Sequence, residues 1–484
     1  MTLSCRNTNE ALHGHGKNAT KAFLNTPTAI LPPYKPAERL EDEPVIPAPD
    51  IFQKKNDSGS DPATRLPSIS ECAIHLELLE TFLVLRERII RSTDIDMSME
   101  IAPKRETKTG VKSDTLTLKD STLGARRREK WPKFVEFAVA RFLEWRANLI
   151  RKHTQPPVRT DTTKPFDGPL PPLDVLMVWH AFLLNPLLFN HTCRRERLYV
   201  VEFPWQAIHA RINNHDWSFT SHHEDDHTFS PLFDVFSMWR EDFTSTCKPS
   251  LASFSIASLP SQETLFPLNA SSQIRRHADT LRNIEDKTLA LALRDAVLRQ
   301  TTFVDKMNAH LWIRSPALEG TLRRAVDRYT KFLHLLKRKA PPIGEDGSNR
   351  TIVPGPIIVP TLDIDLVWHT HQCSAYRYVK STNVLVGRFI NHDDNLEKPA
   401  LTDGSLASRR LFRLHFGEEY RKCGCWDCEA LLSELEDQAA AAARGEGGEI
   451  DMVAVAARVE RTVQYHRVVE AARRKGARLP VLGE

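Results

Sequence analysis

A segment of the form Leu-Asp-x-x-x-Val-Trp-His occurs twice in the chain, and it limits the possible folds more than any other feature. The first copy reads LDVLMVWHAFLL over residues 173–184, and the second reads LDIDLVWHTHQC over residues 362–373. Each copy follows a proline-rich loop and places a histidine in an apolar run with helical spacing. A buried imidazole must be hydrogen-bonded or metal-bound, because an unpaired polar group in a protein interior costs about 1–3 kcal/mol.

Two further segments accompany the repeated one in the same order. Ala-Val-Ala-Arg-Phe at 138–142 precedes the first copy, and Ala-Val-Asp-Arg-Tyr at 325–329 precedes the second. Arg-Ile-Asn-Asn-His-Asp at 211–216 follows the first copy, and Arg-Phe-Ile-Asn-His-Asp at 388–393 follows the second. Three matched segments in one order indicate an internal duplication that produces two similar helical modules packed side by side. The predicted fold class is therefore mainly α.

Composition predicts four parts along the chain. Residues 1–65 are rich in Pro, Asn, Thr, Asp and Lys without a sustained apolar period, which is typical of a disordered tail. The first helical module is expected over residues 66–245 and the second over residues 246–435. Residues 436–484 are rich in Ala, Arg and Glu, and they predict a helical extension.

Charge and hydropathy narrow the choice of partners. The 66 Lys and Arg residues nearly balance the 62 Asp and Glu residues, so the net charge of +4 does not support RNA as a partner. Short basic runs at 126–128 and 337–339 are more often solvated helix ends. No apolar window approaches a membrane span and the amino terminus has no signal region, so we expect protein partners in the cytoplasm or nucleus and no membrane association. The oligomeric state is left open.

The second copy carries the candidates for an active metal centre. They are His369, His371, His392 and Asp393. On a straight helix His369 and His371 point in nearly opposite directions, so they could share one ion only if the helix ends or bends there. Asp365 lies one turn before His369 and could hold its ring.

Other repeated positions are expected to be structural. The two aspartates that follow the proline loops are natural N-caps. A buried histidine bonded to a carboxylate or a carbonyl is the commonest role for His180, with the Asn-His-Asp segment of its own half as a candidate partner. The structural repeat positions are Asp174, Trp179, His180, His215, Asp216, Asp363 and Trp368.

Three cysteines lie together in HFGEEYRKCGCWDC, residues 415–428. Thiolates at this spacing can converge on one ion, and Gly424 relieves the tight turn between the first two. Zinc takes four ligands at about 2.0–2.3 Å, so a fourth must come from elsewhere. Unliganded thiols and an iron–sulfur cluster are the alternatives. The candidate ligands are Cys423, Cys425 and Cys428, with His415, Cys373 or a histidine of the 369–392 group as the fourth.

Several segments together resemble the glycine-rich domain-containing protein-like family, which occurs in fungi and plants. The resemblance covers about residues 68–430 and rests on ECAIHLELLETFLVLRERI, FVDKMNAHLWIRSPALEGTLRRAVDRY, LDIDLVWHTHQ, RFINHDD and GEEYRKCGCWDCEA. It implies a shared domain without an established chemistry. Plant members imply a link to stress responses and RNA-associated regulation, often with a glycine-rich tail, whereas this chain has only 19 glycines.

Three functions follow, and we favour the first. It is a non-enzymatic helical scaffold or regulatory protein with a structural zinc ion. The second is a metal-dependent enzyme resembling the non-haem-iron, 2-oxoglutarate-dependent oxygenases, with iron as the alternative metal; such sites usually stand on a jelly-roll, which the helical periodicity argues against. The third is an RNA-associated stress-response regulator. No Walker loop, dinucleotide fingerprint, G-x-S-x-G or H-E-x-x-H motif is present, so an enzyme is the less favoured class.

Overall fold

The computed structural model of the chain is mainly α-helical, as the sequence predicts. It describes residues 44–54, 64–98, 101–104, 106–109, 115–118, 120–152, 163–220, 287–337, 357–392, 398–446 and 450–480. Most of the predicted tail, the predicted boundary between the modules and Asp393 lie outside the described residues.

The helices fall into an amino-terminal and a carboxy-terminal set. The first set is α1 (Ile69–Arg91), α2 (Thr93–Ser98), α3 (Leu123–Arg128), α4 (Lys130–Lys152), α5 (Leu173–Leu183), α6 (Pro186–Cys193), α7 (Arg197–Val200) and α8 (Trp205–His209). The second set is α9 (Lys287–His310), α10 (Leu318–Leu336), α11 (Leu362–Gln372), α12 (Ala375–Val386), α13 (Lys398–Phe416), α14 (Trp426–Ala443) and α15 (Met452–Lys475). Antiparallel pairs join β1 (Glu106–Thr109) to β2 (Thr115–Leu118) and β3 (Ile212–Asn213) to β4 (Ser218–Phe219). Short 3-10 helices lie at Pro49–Gln53 and Trp312–Arg314.

Helix α1 is the central element of the fold. A capping box begins it: the Ser68 hydroxyl accepts the Glu71 N–H at 3.1 Å, and a Glu71 carboxylate oxygen accepts the Ser68 N–H at 2.8 Å. Every residue from Ser70 to Phe82 is buried, and the helix contacts α4, α9, α10 and α11. A helix buried on all its faces lies inside a core rather than on its surface.

The two predicted modules share one hydrophobic core. Helix α9 of the second half packs against α4 and α5 of the first, and α1 of the first half contacts α10 and α11 of the second. The buried apolar side chains of both halves form one cluster. The halves are therefore interleaved through α1 and α9 and do not fold around separate cores.

The matched segments of the two halves have matching local structure. An ion pair joins each repeated helix to the helix before it: Arg141 and Asp174 are 3.0 Å apart, and Arg328 and Asp363 are 2.6 Å apart. The N-cap role predicted for both aspartates is wrong, because each N-cap lies two residues earlier and makes no side-chain capping bond. Asp174 and Asp363 lie in the first turns of α5 and α11, and each carboxylate pairs with an arginine of the preceding helix. These matches fit an internal duplication, which stays a prediction.

Each repeated helix also ends in the same way. The chain breaks before a second helix at Asn185 (φ −113°, ψ 75°) and at Ser374 (φ −110°, ψ 78°). Trp179 and Trp368 are 1% and 6% exposed. The side chain of Trp179 packs among aromatic rings, whereas the Trp368 indole donates to the Tyr378 hydroxyl at 2.8 Å. The matched tryptophans are therefore both core residues, with different partners.

The described part of the predicted tail differs from the expectation of disorder. The 3-10 helix Pro49–Gln53 buries Ile51 and Phe52, and the Ser70 hydroxyl of α1 donates to the Phe52 carbonyl. Two apolar side chains therefore hold this stretch against α1, because their burial removes apolar surface from water.

The predicted helical extension is present and docks on the core. Helix α14 begins before the predicted boundary at residue 436, so this boundary falls inside a helix. Helix α15 packs along α14 and buries Val455, Val459 and Val463. Its Glu470 carboxylate lies 3.5 Å from the Arg314 guanidinium, which is 1% exposed. The extension is thus part of the same packed unit.

No single described helix has both the length and the apolar character to cross a membrane. Helices α5 and α6 meet both requirements only as a pair, and they are bent by 102° at their junction.

Candidate metal centres

Three side chains of the second half converge on one point. Asp365 and His369 lie one turn apart on α11, and His392 lies in the segment after α12. His369 Nε2 is 3.2 Å from His392 Nε2 and 3.4 Å from Asp365 Oδ1. His392 Nε2 is 3.6 Å from the same carboxylate oxygen. A point about 2.0 Å from all three atoms therefore exists, which is the usual distance from zinc to nitrogen and oxygen ligands. We call these three residues the His–Asp group.

The His–Asp group lies at the edge of the core. The side chains of His369, His392 and Asp365 are 2%, 9% and 22% exposed. The Phe303 ring of α9 lies 4.3 Å from the His369 ring, and the Trp368 ring lies 4.9 Å from that of His392. Burial raises the pKa of Asp365, but the neighbouring histidines outweigh this effect and hold it below its usual value. The group therefore presents an ionised carboxylate beside two packed imidazoles.

His371 does not join the His–Asp group. Its Nδ1 lies 2.9 Å from the Tyr329 hydroxyl and its Nε2 lies 2.7 Å from the Ser381 hydroxyl. Each ring nitrogen of His371 therefore has a hydroxyl partner, one able to donate and the other able to accept. Burial, with Arg377 nearby, lowers the pKa of His371 well below its usual value. It is thus a neutral core histidine with both ring nitrogens bonded.

Among the described residues, the carboxylate of the group belongs to Asp365. Asp393, the carboxylate that the sequence suggests, lies outside the described residues. The spacing of Asp365 and His369 indicates their shared helix face, but it does not show that His392 reaches the same point.

The histidine of the first half has a different environment. His180 Nε2 lies 2.8 Å from Nε2 of His75 on α1, and His75 Nδ1 lies 2.8 Å from the Thr370 hydroxyl on α11. That hydroxyl donates to the Leu366 carbonyl, so His75 Nδ1 must donate to Thr370, and His180 Nε2 must donate to His75. Burial lowers the pKa of His75 well below its usual value and that of His180 to about 3. Both imidazoles are therefore neutral.

The partner of His180 was not identified from the sequence. The predicted partners, His215 and Asp216, lie at the β3–β4 turn, where the Asp216 carboxylate accepts from the Ser218 backbone and hydroxyl at 3.0 and 2.6 Å. His75 stands in the apolar run IHLELL of α1, and a histidine in such a run is the signal that could have pointed to it. His180 is a hydrogen-bonded core residue, but its partner is neither a carboxylate nor a carbonyl.

The cysteines form a second convergent group. The sulfurs of Cys423, Cys425 and Cys428 all lie within 4.8 Å of one another, and we call them the Cys group. Cys425 is the N-cap of α14. Burial raises the pKa of Cys425 to about 12. Bound zinc would reverse this preference, because a coordinating thiol is deprotonated.

The loop that carries the Cys group is held in place by two tryptophans. The Gly424 carbonyl accepts the Trp312 indole N–H at 2.7 Å and lies 3.2 Å from His310 Nδ1, and the Trp426 indole donates to the His310 carbonyl at 2.9 Å. A Cβ at Gly424 would lie 2.9 Å from the Trp312 ring, so a larger residue would force a rearrangement. The loop geometry therefore follows from packing within the protein.

The predicted fourth ligands do not reach the Cys group. Within the described part of the chain, no fourth histidine, cysteine or acidic ligand atom lies within 4.8 Å of all three sulfurs. His415 is exposed on α13 beside His334, and Cys373 is buried at the end of α11. The predicted histidines of the second copy lie in the His–Asp group or, for His371, in the core. The described site thus offers three ligands.

Comparisons with known proteins give the same assignment as the sequence motifs. A family model described as glycine-rich domain-containing protein-like matches residues 256–381. Glycine-rich domain-containing proteins 2 and 1 of Arabidopsis thaliana are 27% identical over 271 residues and 25% identical over 266 residues. Residues 256–381 thus resemble the glycine-rich domain-containing protein-like family, and the two plant relatives carry the same family name.

The similarity to the two plant proteins covers only part of each chain. The aligned regions are 55% and 53% of this chain but 28% and 26% of the two plant proteins, so the chain spans about a quarter of their length. No solved structure matches the chain. The family model covers Asp365 and His369 of the His–Asp group and ends before His392 and the Cys group.

Proposed function

We propose that this chain is a non-enzymatic helical scaffold in which a structural zinc ion at the Cys group fastens the carboxy-terminal helices to the core. The observation that carries the proposal is the convergence of three sulfurs on a loop held by Trp312 and Trp426. Thiolates are the usual ligands of structural zinc. We expect protein partners for such a scaffold.

The position of the Cys group supports a fastening role. Glu429, one residue beyond Cys428, accepts from the Thr321 hydroxyl of α10 at 2.9 Å and also pairs with Arg324. Asp427 pairs with Arg467 of α15 at 2.6 Å. Helices α10, α14 and α15 thus meet beside the three sulfurs. An ion there would hold the start of α14 against both neighbours.

The RNA-associated alternative has less support. Within the first basic run, Arg126 is paired with Asp120, and Arg127 lies 2.6 Å from Asp96 with both side chains buried. Only Lys337 of the second run lies within the described residues. Paired arginines contribute little to the attraction of phosphates.

Untagged full-length protein tests the proposal. We expect about one zinc ion per chain at the Cys group by inductively coupled plasma mass spectrometry, and a lower melting temperature after chelation. Cys423→Ser should remove this ion, and chelation should then no longer lower the melting temperature. Because Cys423 is exposed, the change disturbs little packing. Cys373→Ala is the control that keeps the Cys group intact.

Two results would contradict the zinc scaffold. One is a Cys423→Ser protein that retains the same zinc content as the unmodified chain. The other is unchanged melting when zinc is shown to have left the Cys group. Loss of zinc in the control instead would make Cys373 a ligand, and the three-cysteine assignment would be overturned.

A further inference from the structure

We propose that the His–Asp group is a second metal site, which binds a divalent first-row transition ion and leaves at least one coordination position for water or a small anion. The site uses no residue of the Cys group, so this proposal can be tested separately from the zinc scaffold.

The two distances to Asp365 fit an ion better than they fit hydrogen bonds, and the 3.2 Å between the two imidazole nitrogens fits either. The three ligand atoms of the His–Asp group are 3.2, 3.4 and 3.6 Å apart. Tetrahedral ligands at about 2.0–2.1 Å from an ion are about 3.3–3.4 Å apart. Hydrogen bonds from nitrogen to oxygen are shorter, about 2.7–3.2 Å, so neither histidine is well placed to donate to Asp365.

The Asp365 carboxylate supplies a second, independent observation. Its Oδ1 is buried, and no described donor meets good hydrogen-bond geometry there, since the two imidazole nitrogens lie 3.4 and 3.6 Å away. A buried carboxylate oxygen without a close donor is costly, because distant imidazoles only partly replace the water that it has lost. A cation at the shared point would compensate this charge.

The chemistry of the three donors selects the class of ion. Two imidazole nitrogens and one carboxylate oxygen are the ligands of catalytic zinc sites and of non-haem iron sites. Calcium and magnesium prefer sites made of oxygen alone. Zinc binds such donors more tightly than manganese, iron or cobalt do, and only copper clearly exceeds it, so zinc is the expected occupant where copper is scarce.

One chain of hydrogen bonds orients the ligands. The Trp368 indole of α11 donates to the Tyr378 hydroxyl of α12 at 2.8 Å, and that hydroxyl donates to the Ile390 carbonyl at 2.9 Å. Ile390 lies two residues before His392. Helix α11 therefore carries two ligands directly and positions the segment that carries the third, so little conformational entropy is lost when an ion binds.

Among the described residues, the side of Asp365 is the most open approach to the proposed ion. His369 is covered by Phe303, whereas Asp365 is 22% exposed. A water molecule or a small anion can therefore reach the ion from the side of Asp365. Zinc with three protein ligands normally completes its coordination in this way.

The first half of the chain supplies the matched control. Leu176 occupies the position of Asp365, one turn before His180 on α5. The two nitrogens of the His75–His180 pair are 2.8 Å apart, closer than two ligands of one tetrahedral ion. Replacing Asp365 by leucine therefore gives the second copy the residue that the first copy has.

Cobalt binding tests the site directly. In a chain with Cys423, Cys425 and Cys428 all changed to Ser, we expect about one Co2+ per chain with visible d–d absorbance and no sulfur-to-cobalt charge transfer, displaced by zinc. Asp365→Leu should weaken this binding by more than about 100-fold, and His392→Ala should do the same. Asp327→Leu is the control, because Asp327 is 64% exposed on α10. Circular dichroism should show the same helix content in every variant.

The proposal is overturned if the triple-serine chain binds no cobalt, or if Asp365→Leu binds it as tightly as its parent. If the triple-serine chain does not fold, the same comparison is made in the zinc-loaded native chain. There, total zinc should fall from about two ions per chain to one in Asp365→Leu, and an unchanged zinc content would overturn the second site.

Discussion

Helices α5 and α11 have the same Val-Trp-His sequence and the same ion pair to the preceding helix, yet their histidines have different environments. His180 meets His75 inside the core, and both rings are neutral because burial disfavours their charged forms. His369 meets His392 and Asp365 near the surface. The repeat thus supplies a buried imidazole, and its neighbours decide whether that imidazole meets another histidine alone or also a carboxylate, as the proposed metal site requires.

The largest expected difference lies in the ion pairs that hold the two helices. Asp174→Ala leaves Arg141 uncompensated at 1% exposure, so we expect a loss of about 3–5 kcal/mol in the free energy of unfolding. Asp363→Ala should cost less, because Arg328 also donates to the Tyr420 carbonyl at 2.7 Å. Urea denaturation of both variants measures the difference. Equal losses would show that the two pairs are energetically alike.

The two histidine sites should also differ in their response to pH. The pKa of His180 is lowered to about 3, so the unfolded chain takes up a proton below the usual value of 6.5 while the folded chain does not. Stability is therefore complete above about pH 6.5 and is lost as the pH falls toward 3; for His180 the loss at pH 5 is about 2 kcal/mol.

Replacing both His75 and His180, which we call the first pair, measures the contribution of these histidines to the pH dependence of stability. The His75→Leu, His180→Leu double variant should lose less stability between pH 7 and pH 5 than the unmodified chain, measured by urea denaturation at each pH. His415→Ala, which removes an exposed histidine outside the core, is the control variant. An unchanged slope in the double variant would mean that the first pair does not resist protonation.

A smaller effect should show that the first pair acts by hydrogen bonding alone. Either single change, His75→Leu or His180→Leu, leaves one buried imidazole without its partner, whereas the double change removes both. We expect the double variant to be more stable than the sum of the single losses predicts, by about 1 kcal/mol. This coupling should be the same with and without a chelator. A coupling that disappears on chelation would instead place a metal ion at the first pair.

Several features follow from short-range sequence. The capping box before α1, the helical repeats and the opposite directions of His369 and His371 depend on residues within one or two turns. Local spacing determines these features because backbone geometry sets which side chains share a face. The N-cap role predicted for Asp174 and Asp363 was wrong even at this range, because each aspartate gains more from an arginine on the preceding helix.

The sequence by itself determined a mainly helical protein with two buried histidines at matched positions and three neighbouring cysteines. Only the tertiary structure decided the partners: His75, 105 residues before His180, and His392, brought back to Asp365 and His369 by the turn after α12. Periodicity orients a side chain toward the core, but the groups it meets there depend on how distant helices pack. For the same reason, the Leu176 and Asp365 positions could be matched in the sequence, while the convergence of Asp365, His369 and His392 is visible only in the fold.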